Sequence, residues 1–211
     1  MKKIIYFLIL VLIAGSGFWY FKVHTKTPAS EDAAYRSENL GISFSYPKIL
    51  QVTSTGDIVT IHHEVPFEHH DFCDFRGEAT TTIPTLTDFN LTLSMEKAGI
   101  VDTMKAHSPY IPEENFVNGE VVPSPGFIDE VSFGDLSGLK IFEGAEGCGH
   151  TVYYLSISDR KTLIATEEWV TVFSGTIGTD RMAAAEAVPG VLDKEKEAAA
   201  LLRILNSLEV Q

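Results

Sequence analysis

Basic side chains are scarce in this 211-residue chain: 16 Lys+Arg stand against 29 Asp+Glu, a formal net charge of -13. A nucleic-acid surface needs a clustered basic face to neutralise phosphates, so nucleic acid is excluded as a main partner. Cysteine is scarcer still. Two residues exclude a cysteine-dense mini-protein scaffold, and the composition also excludes collagen-like and coiled-coil chains. Several chemical motifs are missing: there is no G-x-S-x-G elbow, P-loop, H-E-x-x-H or C-x-x-C. Gly134-Asp135-Leu136-Ser137-Gly138 has the wrong spacing for the elbow and reads as a turn between strands. Glu113-Glu114 and Glu167-Glu168 are adjacent carboxylates. Neighbours on a strand point to opposite faces, so Glu167 and Glu168 do not converge on one bond. The expectation is a protein that is not an enzyme.

What is present is enough apolar material for a core, 45% hydrophobic residues against 21% charged. The longest apolar run follows Met1-Lys2-Lys3 and extends from Ile4 to Phe21 without a charge. Eighteen residues at 1.5 Å each make about 27 Å of helix, close to the hydrocarbon thickness of a bilayer. Trp19, Tyr20 and Phe21 close the run as an interfacial belt, and Lys2 and Lys3 favour an N-terminus inside. Residues 1–22 therefore read as a single-pass anchor in the inner (cytoplasmic) membrane. The alternative is a cleaved signal peptide with its cut near Ala14-Gly15-Ser16, leaving a secreted protein. Either way, the remainder is expected outside the cytoplasm. Four of the basic residues lie within positions 1–26 and every acidic one lies beyond position 30. The exported part is thus strongly acidic and is repelled by anionic lipid.

Residues 23–37 are polar and small and read as a tether, leaving 38–211 as the domain. Ile42, Phe44 and Tyr46 alternate with serines and stop at Pro47, the period of a half-buried strand. Ile49–Thr53 and Ile58–Val65 flank the turn Ser54-Thr55-Gly56-Asp57 as a hairpin. Phe89, Leu91, Leu93 and Met95 form the cleanest alternation; the sequon Asn90-Leu91-Thr92 lies inside it. Gly99 to His107 reads as a short helix, and the proline-rich stretch 108–128 as a loop over the surface. Asp129–Phe133, Gly138–Phe142, His150–Ser158 and Lys161–Val170 read as further strands. The pattern predicts an α+β fold: an antiparallel meander with no room for crossover helices. From Lys194 the period changes, and Ala198, Leu201, Leu202, Leu205 and Leu208 share one side of a closing helix that Asp193 caps.

Two segments resemble a known family. Tyr35-Arg36-Ser37-Glu38-Asn39-Leu40-Gly41-Ile42-Ser43-Phe44-Ser45-Tyr46-Pro47 is similar to the first strand of PsbP-like domains. Leu202 to Val210, with Ile204-Leu205-Asn206-Ser207-Leu208, is similar to their closing helix. The order of strands between them also fits, whereas 66–88 and 108–128 have no counterpart. The resemblance implies an α/β/α sandwich around an antiparallel sheet. It implies a binding or assembly role, because members include photosystem II extrinsic subunits, a nuclear-import factor binding a small GTPase and anchored bacterial proteins. No functional residue is carried over, since function does not travel with fold.

Cys73 and Cys148 are the only cysteines, and in an exported domain two thiols most simply form one disulfide. The sharper alternative is a Zn or Cu site, because imidazole and thiolate suit both metals. Five of the seven histidines, His62, His63, His69, His70 and His150, lie near a cysteine or on the strand feeding it. The candidate ligands are His69, His70, Cys73, Cys148 and His150; in the disulfide-free case His70 and His150 complete a two-Cys, two-His tetrahedron. A middle case places histidines beside Asp71 and Asp74 as a pH-sensitive patch. His63 shares a strand face with Val59, Ile61 and Val65 and reads as a satisfied, partly buried histidine. The leading expectation is a non-catalytic, membrane-tethered interaction or assembly domain that meets a protein partner outside the cytoplasm and needs no cofactor.

Overall fold

Ile42 and Phe44 are buried at alternate positions of β2 (Ile42–Pro47), as the period-two pattern predicts. In the computed structural model, which describes residues 32–71, 73, 82–174 and 178–211, β2 is the centre of a small sheet. It pairs antiparallel with β1 (Asp32–Ser37) on one side and β12 (Glu209–Val210) on the other. β1 falls within the stretch 23–37 where the tether was expected. Its outward positions Asp32, Ala34 and Arg36 are polar or small, and Tyr35 turns inward onto the Phe44 ring, 5.4 Å between centroids. The span expected at Ile4–Phe21 lies outside the described residues. Among those described, no helix is long and apolar enough to cross a membrane.

The second sheet has seven strands. The hairpin β3 (Gln51–Thr55) and β4 (Ile58–His69) turns at Gly56, whose φ of 60° is the left-handed region that glycine enters without steric cost. β4 pairs with β5 (Ile83–Glu96), and β8 (Ile128–Phe133), β9 (Leu136–Ala145), β10 (Cys148–Ser158) and β11 (Lys161–Glu168) follow as a meander. The spatial order is β3-β4-β5-β11-β10-β9-β8, all antiparallel. The sheet is therefore not one continuous meander. From β5 the chain crosses to the far edge, and the meander returns until β11 lies against β5. Residues 97–127 make that crossing with α1 (Ile100–His107) and a ribbon of β6 (Phe116–Val117) and β7 (Glu120–Val121), where a plain loop was expected.

Helices cover both faces of this sheet. On one, Val59, Ile61, Leu91, Leu93, Leu155 and Leu163 meet α3 (Lys194–Asn206) through Leu201, Ile204 and Leu205, with Ile42 and Phe44 of the small sheet alongside. The Asp193 carboxylate accepts the Lys196 N–H at 3.0 Å, the expected cap. At the other end Ser207 Oγ accepts from Ser45 N at 2.8 Å and ties the helix to β2. On the opposite face, Leu139, Ile141, Val152, Tyr154 and Ile164 pack under Met104 of α1 and Ile111, with Phe116 and Val121 of the ribbon against them. A third cluster at the sheet end joins Val65 and Leu86 to Val172, Phe173 and Ala185 of α2 (Thr179–Glu186). The described part is an α+β fold with a seven-stranded antiparallel sheet and three helices.

Candidate functional site

On β11 the inward alternation runs Leu163, Ala165, Glu167, so a carboxylate takes the place of a third core residue. Register places Thr151 of β10 opposite both Glu167 and Phe142 of β9, so all three share the α3 face in one row across three strands. Glu197 lies one helical turn before Leu201, on the buried side of α3. Beyond β11 the chain bends through Trp169 and Val170 into a 3-10 turn at Thr171–Phe173. Together these elements enclose a cleft of about 340 Å³ with Phe142, Trp169 and Phe173 on its walls and Thr151, Glu167 and Glu197 among its lining.

Trp169 is held firmly. Its Nε1 donates to Thr151 Oγ1 at 2.8 Å and its backbone N–H to the Gly149 carbonyl at 2.8 Å. Gly144 faces Gly149 across the β9–β10 pairing, and a Cβ on Gly144 would stand 2.9 Å from the indole. The missing side chain is what lets the ring lie down on the sheet. Phe142 sits 6.4 Å from the indole, with Lys140 Nζ 4.9 Å from its own ring centre. Tyr153 Oη donates to Glu167 Oε2 at 3.1 Å. Burial pushes the Glu167 carboxyl above its ordinary range, opposed by that hydrogen bond and by Lys140. Glu197 is pushed up to about 8, first by burial and then by the negative charges of Glu167 and Asp88, with Lys194 opposing. Its carboxylate makes no hydrogen bond or ion pair to a described residue.

Cys73 and Cys148 are joined, with Cα atoms 5.7 Å apart. Thr171 Oγ1 lies 3.4 Å from Cys73 Sγ and 3.8 Å from Cys148 Sγ, so the bridge braces the turn that walls the cleft. With the sulfurs joined, neither is a thiolate and the two-Cys, two-His tetrahedron is not assembled. His69 Nδ1 lies 2.6 Å from the His70 carbonyl oxygen and Nε2 3.1 Å from that of Thr85. His70 is exposed, and His150 Nε2 pairs with Glu143 Oε2 at 2.9 Å on the opposite face of the sheet. Among the described residues no group of three or more His, Cys, Asp and Glu is placed to hold a metal ion. Asp71 Oδ1 accepts the Cys73 N–H at 2.9 Å, and Asp74 lies outside the described residues.

Two further polar groups are internal. His63 is buried, as its strand face predicts, with Nδ1 2.6 Å from Asp88 Oδ1; Asp88 Oδ2 accepts the Leu192 N–H at 2.6 Å. On the α1 face, Ser108 Oγ donates to Glu143 Oε1 and meets Tyr154 Oη, both at 2.7 Å. Serine, carboxylate and histidine are all present there in the wrong order. Glu143 stands between Ser108 and His150, so the imidazole has no contact through which to take the serine proton. Ser108 is also 1% exposed. Desolvation raises the Tyr154 phenol to about 12.

Sequence reasoning missed Glu197, Phe142, Trp169 and Phe173 as site residues. Two signals were legible: a carboxylate continuing the Leu163-Ala165 alternation, and another at helical spacing from Leu201. Glu168, the adjacent carboxylate on the other face of the strand, is exposed.

No family model matches the chain, and no curated protein does. A crystal structure of a protein from Bacteroides thetaiotaomicron VPI-5482 is similar with a TM-score of 0.42 and 10% identity, over 84% of this chain and 48% of that one. The chain thus spans about half the length of that protein. What fold and site define is a class: an α+β domain with a disulfide-braced, aromatic-walled acidic cleft.

Proposed function

We propose that the protein is a non-catalytic, membrane-tethered interaction or assembly domain outside the cytoplasm, and that its working surface is the cleft beside Trp169. The observation that carries this is the cleft itself: aromatic walls braced by Gly144, Gly149 and the Cys73–Cys148 bridge, over carboxyl groups that no basic side chain among the described residues pairs. The disulfide supports an oxidising compartment, and the apolar run Ile4–Phe21 supports a tether in the inner membrane. Helices on both faces of an antiparallel sheet, together with the strand ending at Tyr46-Pro47, support a PsbP-like α/β/α sandwich. The acidic surface supports a partner of complementary charge.

A photocrosslinking residue at Ala198, on the cleft lining, tests the role in native membranes with the full chain; the exposed Ile58 serves as control. The expected result is a discrete adduct from Ala198 that the Ile58 position does not form. Identical patterns from both positions would remove the cleft as the working surface. An alkaline phosphatase reporter fused after Gln211 is expected to be active, and an inactive, cytoplasmic fusion would refute the location.

A further inference from the structure

Resting on the cleft as the working surface, we infer that it binds a protonated amine carried on an apolar stem. The chemistry follows from what the lining offers and what it has already used. The indole and phenol donors at the cleft are already used: Trp169 Nε1 donates to Thr151, and Tyr153 Oη, beside the lining, donates to Glu167. Apart from the exposed Lys194 ammonium, what the lining presents to a ligand is chiefly acceptor, the carboxyl oxygens of Glu167 and Glu197, and an ammonium bound there draws off the proton that Glu197 otherwise holds up to about 8. A ligand must therefore bring its own donors, and an ammonium brings three N–H groups with a charge of the required sign.

The walls select the rest of the molecule. Phe142, Trp169 and Phe173 present aromatic surface, and a cation over such a face is attracted by the ring quadrupole. Phe142 already shows this, with Lys140 Nζ 4.9 Å from its centroid. Lys140 does not line the cavity, and its ammonium lies 3.7 Å from Asp129 Oδ2. Lys194 sits exposed on the lining, and its positive charge opposes the rise at Glu197. Neither lysine is hydrogen-bonded to a cleft carboxylate. A hydrated divalent cation fits less well, because the walls are apolar and no group of three ligating side chains is present among the described residues. The cavity of about 340 Å³ accommodates an amine with one ring or a short alkyl chain. The same chemistry comes from a free small amine or from a lysine side chain presented by a partner.

Calorimetric titration of the full-length chain in detergent just above pH 8, where Glu197 is ionised and an alkylammonium keeps its proton, tests this with three probes: phenethylammonium chloride, its neutral counterpart 2-phenylethanol, and Nα-acetyl-lysine methylamide. Phenethylammonium is expected to bind saturably and at least about tenfold tighter than the alcohol. Glu167→Gln and Glu197→Gln are each expected to weaken it by about tenfold, whereas Glu113→Gln, on the exposed ion pair with Lys105, leaves it unchanged. Both Gln variants keep the side-chain shape, and unchanged near-UV circular dichroism establishes that they are folded. Binding of the lysine probe as well assigns the source to a protein side chain; binding of phenethylammonium alone assigns it to a small molecule. Equal affinity for amine and alcohol, no saturable heat with either amine, or equal losses in all three variants would overturn the inference. If the amine fails while the Ala198 adduct persists, only the ligand chemistry falls. If the adduct fails while the amine binds, the partner role falls instead.

Discussion

Removing the Cys73–Cys148 bridge is the perturbation whose size follows most directly from the structure. The bridge closes a loop with a sequence separation of 75 residues. In the chain-entropy account, a loop of that length restricts the unfolded ensemble by about 4.5 kcal/mol at 25 °C. The double variant Cys73→Ala/Cys148→Ala avoids leaving a lone thiol, and the lost sulfur contacts of Thr171 add little. The assay is urea denaturation of the full-length protein, followed by circular dichroism, for the oxidised wild type and the double variant. With a slope of about 2 kcal/mol per molar urea, the midpoint is expected to fall by about 2 M. Wild type treated with reductant should unfold with the variant. Midpoints that agree within about 0.3 M would refute the reasoning, because the bridge would then restrict nothing the unfolded chain does not already restrict.

Asp88→Ala leaves the His63 ring and the Leu192 N–H without their buried acceptor and is expected to cost about 3–5 kcal/mol in the same assay; a loss below about 1 kcal/mol would contradict the buried pairing. The pH dependence carries a definite sign at Glu197, which faces Glu167, Asp88 and Lys194. Its carboxyl holds a proton up to about 8 in the folded chain against an ordinary value of 4.5. The folded state therefore binds more protons between those values, and stability falls as pH rises through that window. Glu197→Gln removes this fall, so its Tm is expected to exceed wild type at pH 8 and to converge with it below pH 4.5; a constant offset at every pH would contradict it. Gly144→Ala drives a methyl group against the Cys148 carbonyl and the Trp169 ring. It is expected to cost about 1–3 kcal/mol and to red-shift indole emission measured in a Trp19→Phe background, where unchanged emission would count against the seating of Trp169.

The elements legible in the sequence are those whose signal is local. β2 and the Phe89–Met95 stretch of β5 carry an uninterrupted period of two, and α3 carries its own cap at Asp193 with Leu201 and Leu205 at helical spacing, although Leu202, read on the same side, is exposed and Ile204 is buried in its place. β1 escaped because only Tyr35 among its inward positions is large and apolar, and α2 because Ala185 alone is buried in it. The pairing of β5 with β11 is non-local and leaves no mark in either strand, so the return of the chain to the sheet centre was not readable. The disulfide was legible from a cysteine count of two and an export reading. The cleft was legible only in halves. Glu167 stands out on an apolar strand face, but its meeting with Glu197, Phe142 and Trp169 depends on register and on where α3 begins.

The account depends most on an oxidising surrounding for the domain, and the state of the two sulfurs in living cells measures that directly. A mass-tagged maleimide is added to the source cells after acid quenching, with and without prior reduction. The account predicts no tag on Cys73 or Cys148 before reduction and two tags after it. Two tags without reduction would contradict it, for the bridge, the compartment and the braced cleft would then be absent from the working protein.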